Sequence, residues 1–242
     1  MLFDELDVAA SPYELVAVGG ELEPATLRAA YRNGVFPWPP SVEHRGGHNR
    51  AVRRMVRKGQ VPVLPGPTSL IPWVSPQPRA ILVPHQLRVP RSLRQLMRRS
   101  GWQSTVNAAF GEVIARCADR EDGTWITPAM QRAYIGLHEE GGAHSVEVWD
   151  GERLVGGLYG VLSGRVFSGE SMFFVDSGAS KAAVVDLCHR LVEGRVAILD
   201  TQQESEHLRA MGQVLVDRGE YVAAVRSLQQ PAGLPTDRRS LG

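Results

Sequence analysis

Two carboxylates stand where their neighbours are apolar, and both are candidates for proton-transfer or ligand-holding chemistry. Glu170 interrupts the strand-like stretch Gly169-Glu170-Ser171-Met172-Phe173, where a carboxylate has to be hydrogen-bonded, paired or turned toward a cleft. Asp200 closes the run Ala197-Ile198-Leu199 and precedes Thr201-Gln202. Ligand-facing side chains collect at such strand ends, although Asp serves equally as a helix cap or turn former. Trp38, Trp73 and Trp125 lie beside proline or threonine in loop-like contexts, where a ring either stacks on a nucleobase or plugs an interface. The seven histidines and two cysteines show no HExxH or CxxC spacing, and Glu204-Ser205-Glu206-His207 reads as a polar helix start, so no metal is expected. The lack of a GxSxG elbow argues against a serine hydrolase.

Charge points to a partner. Between His44 and Gly111 there is no Asp or Glu, yet twelve of the chain's 27 Lys and Arg fall there, while the other 15 share the rest with all 26 acidic residues. A net charge of +1 conceals this segregation, which attracts a polyanion to one section and makes nucleic acid the leading partner. Arg91, Arg94 and Arg98 recur at i, i+3 and i+7 and so share one face of a predicted helix over 91–100, with Arg99 beside them. Without acidic partners, that face is suited to phosphate contact.

Periodicity and turn signals organise the positions between. Residues 1–78 read as a small N-terminal α/β domain. It has a helix opened by Pro24 and stopped by Gly34, and a mobile, basic inserted arm at about 41–70 in which residues 50–59 can form a short helix. From 79 to 229 the pattern gives a strand at 80–83, a helix at 91–100, a strand at 103–106 and helices at 108–118 and from Pro128 to near Gly141. Three apolar runs follow at 144–149, 154–162 and 166–172, separated by Asp150-Gly151 and Ser163-Gly164, the signature of antiparallel hairpins. A helix at 179–192, a strand at 196–200 and a helix at 220–228 complete the series, and 230–242 reads as a disordered tail. Three antiparallel strands, a helix and another strand give an α+β class with a mostly antiparallel central sheet, the order of a GNAT-like acyltransferase. The usual ligand of that fold is acetyl-CoA, but the corresponding turn here, Phe174-Val175-Asp176-Ser177-Gly178-Ala179-Ser180, has one glycine, an aspartate and no arginine. That composition argues against a phosphate cradle, and no cofactor is expected.

Cys117 and Cys188 sit in helical apolar patterns and read as reduced core residues. No apolar stretch approaches the roughly 20 residues that span a bilayer, and the acidic start Met1-Leu2-Phe3-Asp4-Glu5 does not suit a signal peptide. A cytoplasmic monomer without membrane contact is expected.

Read together, several segments resemble the bacterial leucyl/phenylalanyl-tRNA-protein transferases, from about Val18 to Tyr221. They include Gly19-Gly20-Glu21-Leu22, Gly34-Val35-Phe36-Pro37-Trp38, Trp73-Val74-Ser75-Pro76-Gln77-Pro78-Arg79, Asp122-Gly123-Thr124-Trp125, Gly156-Gly157-Leu158-Tyr159-Gly160, Gly169-Glu170-Ser171-Met172-Phe173 and Asp200-Thr201-Gln202. The resemblance implies a small N-terminal domain joined to a GNAT-like domain. It implies transfer of Leu or Phe, with leakage to Met, from aminoacyl-tRNA to the N-terminal amine of proteins beginning with Arg or Lys, which marks them for degradation. By the same resemblance Asp200 and Gln202 stand at the reacting centre. Asp200 would orient the attacking amine or take its proton, and Gln202 would hold the amine or polarise the carbonyl; an alternative scheme lets the tRNA ribose hydroxyl relay the proton. Glu170, Trp38 and Trp125 match the surroundings of the terminal adenosine. Leu158, Phe167, Met172, Val184, Leu187 and Leu199 match the pocket for the amino-acid side chain, which should reject Ile and Val on steric grounds. The chain departs from the family in the long segment between Trp38 and Trp73, in Val74 where a second Trp is common, and in Thr201-Gln202-Gln203. A catalytically silent tRNA-binding module and a CoA-dependent N-acyltransferase are the alternative readings.

Overall fold

Proline and glycine cut the first 78 residues into pieces that form only a small sheet. In a computed structural model that describes residues 3–40, 45–66, 70–121 and 123–242, strand β1 (Leu15–Gly19) leads into helix α1 (Pro24–Arg32), which Pro24 opens with its preset backbone angle. Strand β2 (Phe36–Pro37), helix α2 (Arg45–Arg57), strand β3 (Val63–Leu64) and strand β4 (Pro72–Val74) complete this part. The sheet order is β2-β4-β1-β3, with β1 and β3 parallel and the other neighbours antiparallel.

The basic arm differs from its expectation as a mobile insertion. Helix α2 is longer than the 50–59 segment, and Val52, Met55 and Val56 give it an apolar stripe at i, i+3 and i+4. Through that stripe it packs on Val18 and Val61, which anchors the arm to β1. Residues 41–44 and 67–69 of the arm lie outside the described residues, as does Asp122 of the motif at 122–125.

The larger sheet begins with strand β5 (Arg79–Leu82), followed by helix α3 (Arg91–Ser100), strand β6 (Gln103–Val106), helix α4 (Phe110–Ala118) and helix α5 (Pro128–Glu139). Strands β7 (Ala143–Asp150), β8 (Arg153–Ser163) and β9 (Val166–Phe174) are the expected hairpins, turned by Gly151 at φ 61° and Gly164 at φ 56°. Helix α6 (Ala179–Glu193) crosses over to strand β10 (Ile198–Gln202), and helix α7 (Glu206–Ala210), strand β11 (Val214–Val216), helix α8 (Arg218–Ser227) and strand β12 (Arg239–Ser240) follow.

The strand order is β11-β5-β10-β9-β8-β7-β6-β12, antiparallel except for β9 and β10, whose parallel pairing is what the α6 crossover makes possible. The fold is therefore mixed α+β with a mostly antiparallel central sheet. Apolar side chains alternate across it into two cores, one beneath α3 and α6 and one beneath α1, α4, α5 and α8. Helix α6 can lie this close to β8 because residue 156 is glycine; a Cβ there would stand 2.6 Å from the Ala179 Cβ. Cys117 and Cys188 are free and buried in these cores, where burial pushes each thiol up to about 12.

The expectation of a disordered tail at 230–242 is overturned. Strand β12 pairs with β6 at Arg239↔Ser104 and Ser240↔Gln103, covering an edge that would otherwise stay open. The buried Arg190 guanidinium bonds Asp186 at 2.7 Å and donates to the carbonyls of Pro235 (2.7 Å) and Asp237 (2.9 Å). The tail looks polar and unstructured as a string because its partners lie some 45 positions upstream. Among the described residues no helix is long and apolar enough to cross a membrane.

Candidate active site

The site forms where two neighbouring strands each carry an extra residue. On β9 the register runs Tyr159↔Ser171 and then Gly160↔Gly169, which leaves Glu170 as the bulged residue. On β10 it runs Asp200↔Ile81 and then Gln202↔Ala80, which leaves Thr201. Bulges re-aim side chains, and these two bring Glu170 and Gln202 together at the parallel pair. Gln202 has φ 64°, rare for a residue with a side chain, and the Gln203 N–H donates to the Thr201 carbonyl at 2.6 Å, closing a γ-turn around it.

Asp200 holds that turn from below. Its carboxylate is fully buried and accepts five hydrogen bonds: from Arg79 Nε (2.8 Å) and Nη2 (2.7 Å), Tyr221 Oη (2.8 Å), Ser168 Oγ (3.1 Å) and the Gln202 backbone N–H (2.9 Å). Arg79 is itself enclosed between the rings of Phe36 and Tyr221, 4.9 and 4.4 Å from their centroids. Burial works against its charge, yet Asp200 outweighs that and holds the guanidinium's pKa above its ordinary value. Every acceptor site of Asp200 is thus engaged within the protein, one of them by the Gln202 backbone, and its side chain does not line the cavity beside it.

Glu170 is buried and accepts from Gln202 Nε2 at 2.8 Å and from Tyr134 Oη at 2.9 Å, while the Tyr31 hydroxyl stands 2.6 Å from that of Tyr134. Burial pushes its carboxyl up to about 7, with the Tyr31 and Tyr134 hydroxyls pulling the other way. A carboxylate only accepts, so the NH2 end of the Gln202 amide must face it, and the amide oxygen is the end turned away. Among the described residues that oxygen takes no protein donor, and Gln202 lines the cavity.

That cavity has a volume of about 380 Å³, within the range of small-ligand sites. Leu158, Met172, Val184, Leu187 and Leu199 form its apolar wall. Phe167 lies behind this wall, fully buried, with its ring against Gly160, where a Cβ would stand 2.4 Å from a ring carbon. Trp38 and Trp125 border the cavity, whereas Trp73 is the structural plug, fully buried, edge-on to Phe3 at 5.0 Å with its indole N–H donating to the Gly19 carbonyl at 2.8 Å. The rim adds Phe36, Arg120, Glu204 and His207, the last two from the segment expected only to start a polar helix. Arg91, Arg94, Arg98 and Arg99 are all exposed on α3, as are Arg50, Arg53, Arg54, Arg57 and Lys58 around α2, and none forms an ion pair among the described residues. At the turn before α6, the Asp176 carboxylate is paired with Arg153 at 2.9 Å.

An apolar slot that ends at an amide oxygen with no protein donor among the described residues, on a mostly antiparallel sheet with one crossover helix, suits the acyltransferase class of enzymes. Comparison with known proteins narrows the class. Residues 81–226 match the family model described as leucyl/phenylalanyl-tRNA protein transferase, and residues 20–44 match its N-terminal domain. Proteins named leucyl/phenylalanyl-tRNA-protein transferase are similar over most of their length. The one from Shewanella baltica is 39% identical over 228 residues, covering 93% of this chain and 85% of the relative. The one from Shewanella loihica is 41% identical over 214 residues, covering 87% and 80%. The chain belongs to the leucyl/phenylalanyl-tRNA-protein transferase family.

Proposed function

We propose that this protein transfers Leu or Phe from aminoacyl-tRNA to the N-terminal amine of cytoplasmic proteins that begin with Arg or Lys, marking them for degradation. The observation that carries the reading is the apolar cavity that ends at the Glu170-oriented amide of Gln202. The donor's side chain fills the wall of Leu158, Met172, Val184, Leu187 and Leu199, and the terminal adenosine sits between Trp38 and Trp125. Its ester carbonyl then lies at the bulged strand ends. The Gln202 oxygen accepts an N–H of the attacking amine and directs the nitrogen lone pair at that carbonyl; the C–N bond forms as the bond between the acyl carbon and the ribose oxygen breaks, and the amine proton ends on that oxygen, directly or relayed by the neighbouring ribose hydroxyl. The decisive experiment is incubation with radiolabelled Leu-tRNA and a peptide beginning with Arg. Label is expected in the peptide; its absence, or transfer from a CoA thioester, would refute the reading.

The exposed cations of α2 and α3 supply phosphate contacts in this scheme. Removing residues 45–60 would also strip Val52 from Val18, so neutralisation is the cleaner test. Replacing Arg50, Arg53, Arg54 and Arg57 with Gln should weaken tRNA binding. It should also make the logarithm of affinity fall less steeply with the logarithm of salt, by roughly 0.7 to 0.9 for each phosphate no longer neutralised. An unchanged slope would exclude the arm from the RNA interface.

A further inference from the structure

Arg120 follows α4 and reaches across to β9. Its Nε donates to the Cys117 carbonyl at 3.2 Å, and its Nη2 to the Ser171 hydroxyl at 2.9 Å and the Met172 carbonyl at 3.5 Å. These acceptors are neutral, so they fix the guanidinium in place without offsetting its charge. Both Nη1 protons remain unengaged among the described residues. Among the described residues that line the cavity Arg120 is the one Lys or Arg, and it stands five positions before Trp125. An exposed surface arginine ordinarily keeps its side chain loose; this one is pinned at the cavity mouth, and among the described residues no carboxylate pairs with it.

We propose that Arg120 clasps the phosphate that joins the last two nucleotides of the donor RNA. The inference rests on the reading in which the terminal nucleoside lies between Trp38 and Trp125. A nucleoside held there by its base needs a second fixed point to stop it pivoting, and its 5′ oxygen carries the nearest charge. A guanidinium already fixed through Nε and Nη2 presents its two Nη1 protons to a phosphate with little further loss of side-chain freedom, which a flexible lysine cannot match. Arg120 thus acts at the donor's backbone and sets the angle at which the ester enters, while the arginines of α3 are left for phosphates further along the RNA.

The test uses two non-hydrolysable probes, 3′-phenylalanylamino-3′-deoxyadenosine with a 5′-hydroxyl and the same compound with a 5′-methyl phosphate. The intact protein is expected to bind the phosphorylated probe about tenfold to a hundredfold more tightly, the ordinary contribution of a charge-assisted pair. Arg120→Gln should abolish that preference and leave the 5′-hydroxyl probe bound as before, and Arg120→Lys should retain part of it. Preference surviving in Arg120→Gln, or equal loss for both probes, would overturn the proposal and make Arg120 a prop for β9 or a contact to the carbonyl. Failure of both probes to bind the unaltered protein, or indifference of both to Trp38→Ala, would instead refute the placement of the nucleoside and the clasp with it.

Discussion

Asp200→Ala is expected to lower stability by about 3–5 kcal/mol and the melting temperature by roughly 10 °C, besides abolishing peptide labelling. The size of the effect comes from what is left behind rather than from the value of the ion pair itself. Arg79 is fully buried between Phe36 and Tyr221, and without Asp200 its charge has no carboxylate contact. Tyr221 and Ser168 lose their acceptor at the same time, and the Gln202 turn loses the bond that fixes its backbone N–H. Thermal unfolding of Asp200→Ala beside a paired Arg79→Met/Asp200→Leu variant separates these causes. The pair of apolar residues should recover most of the missing stability, since it removes both buried charges, yet it should stay inactive because nothing then holds the turn. A single variant that melts within a degree or two of the unaltered protein would show that this buried cluster does not position the site.

The same cluster shows what the chain discloses and what it conceals. Strands at 144–149, 154–162 and 166–172 are legible because hairpin turns and alternation are local, and the α3 and α6 helices because 3.6-residue periodicity is local too. Glu170 and Asp200 stand out as carboxylates in apolar surroundings, and that signal is sound: both are buried at the junction of β9 and β10. Arg79, however, counts in the sequence as one more cation of the acid-free section. Its partner lies 121 positions away, and only tertiary structure removes it from the surface. Tyr31 and Tyr134 give no signal either, since each occupies an ordinary core position of an amphipathic helix until the two hydroxyls meet beside Glu170. The C-terminal segment misleads for a related reason: Asp237 and Arg239 look solvent-seeking in a string, but Arg190 and Glu193 await them on α6. Bulges are beyond reach altogether, because an extra residue in a strand is defined by the register of its neighbour.

Those bulges set the second large effect. Gln202→Gly should reduce turnover about a hundredfold or more while leaving donor affinity and melting temperature close to those of the unaltered protein. Glycine suits φ 64° better than glutamine does, so the backbone turn survives and only the amide is removed. What disappears is the acceptor that aligns the attacking amine, and misplacement of a reacting atom by about 1 Å costs on the order of 10²-fold. A matching loss of donor affinity would reassign Gln202 to holding the aminoacyl ester. The pH dependence supplies an independent check. Ionised Glu170 accepts the Gln202 N–H and so fixes which end of the amide faces the cavity; a protonated carboxyl can compete for that geometry. With its carboxyl pushed up to about 7, turnover should climb with Glu170 ionisation between about pH 6 and 8, and the acceptor amine, ordinarily near 8, should add its own limb above it. Glu170→Gln should lose the limb near 7 and retain the amine's. A limb near 7 that persists in Glu170→Gln would belong to some other group, and the orientation of Gln202 would then have to be set by its backbone turn alone.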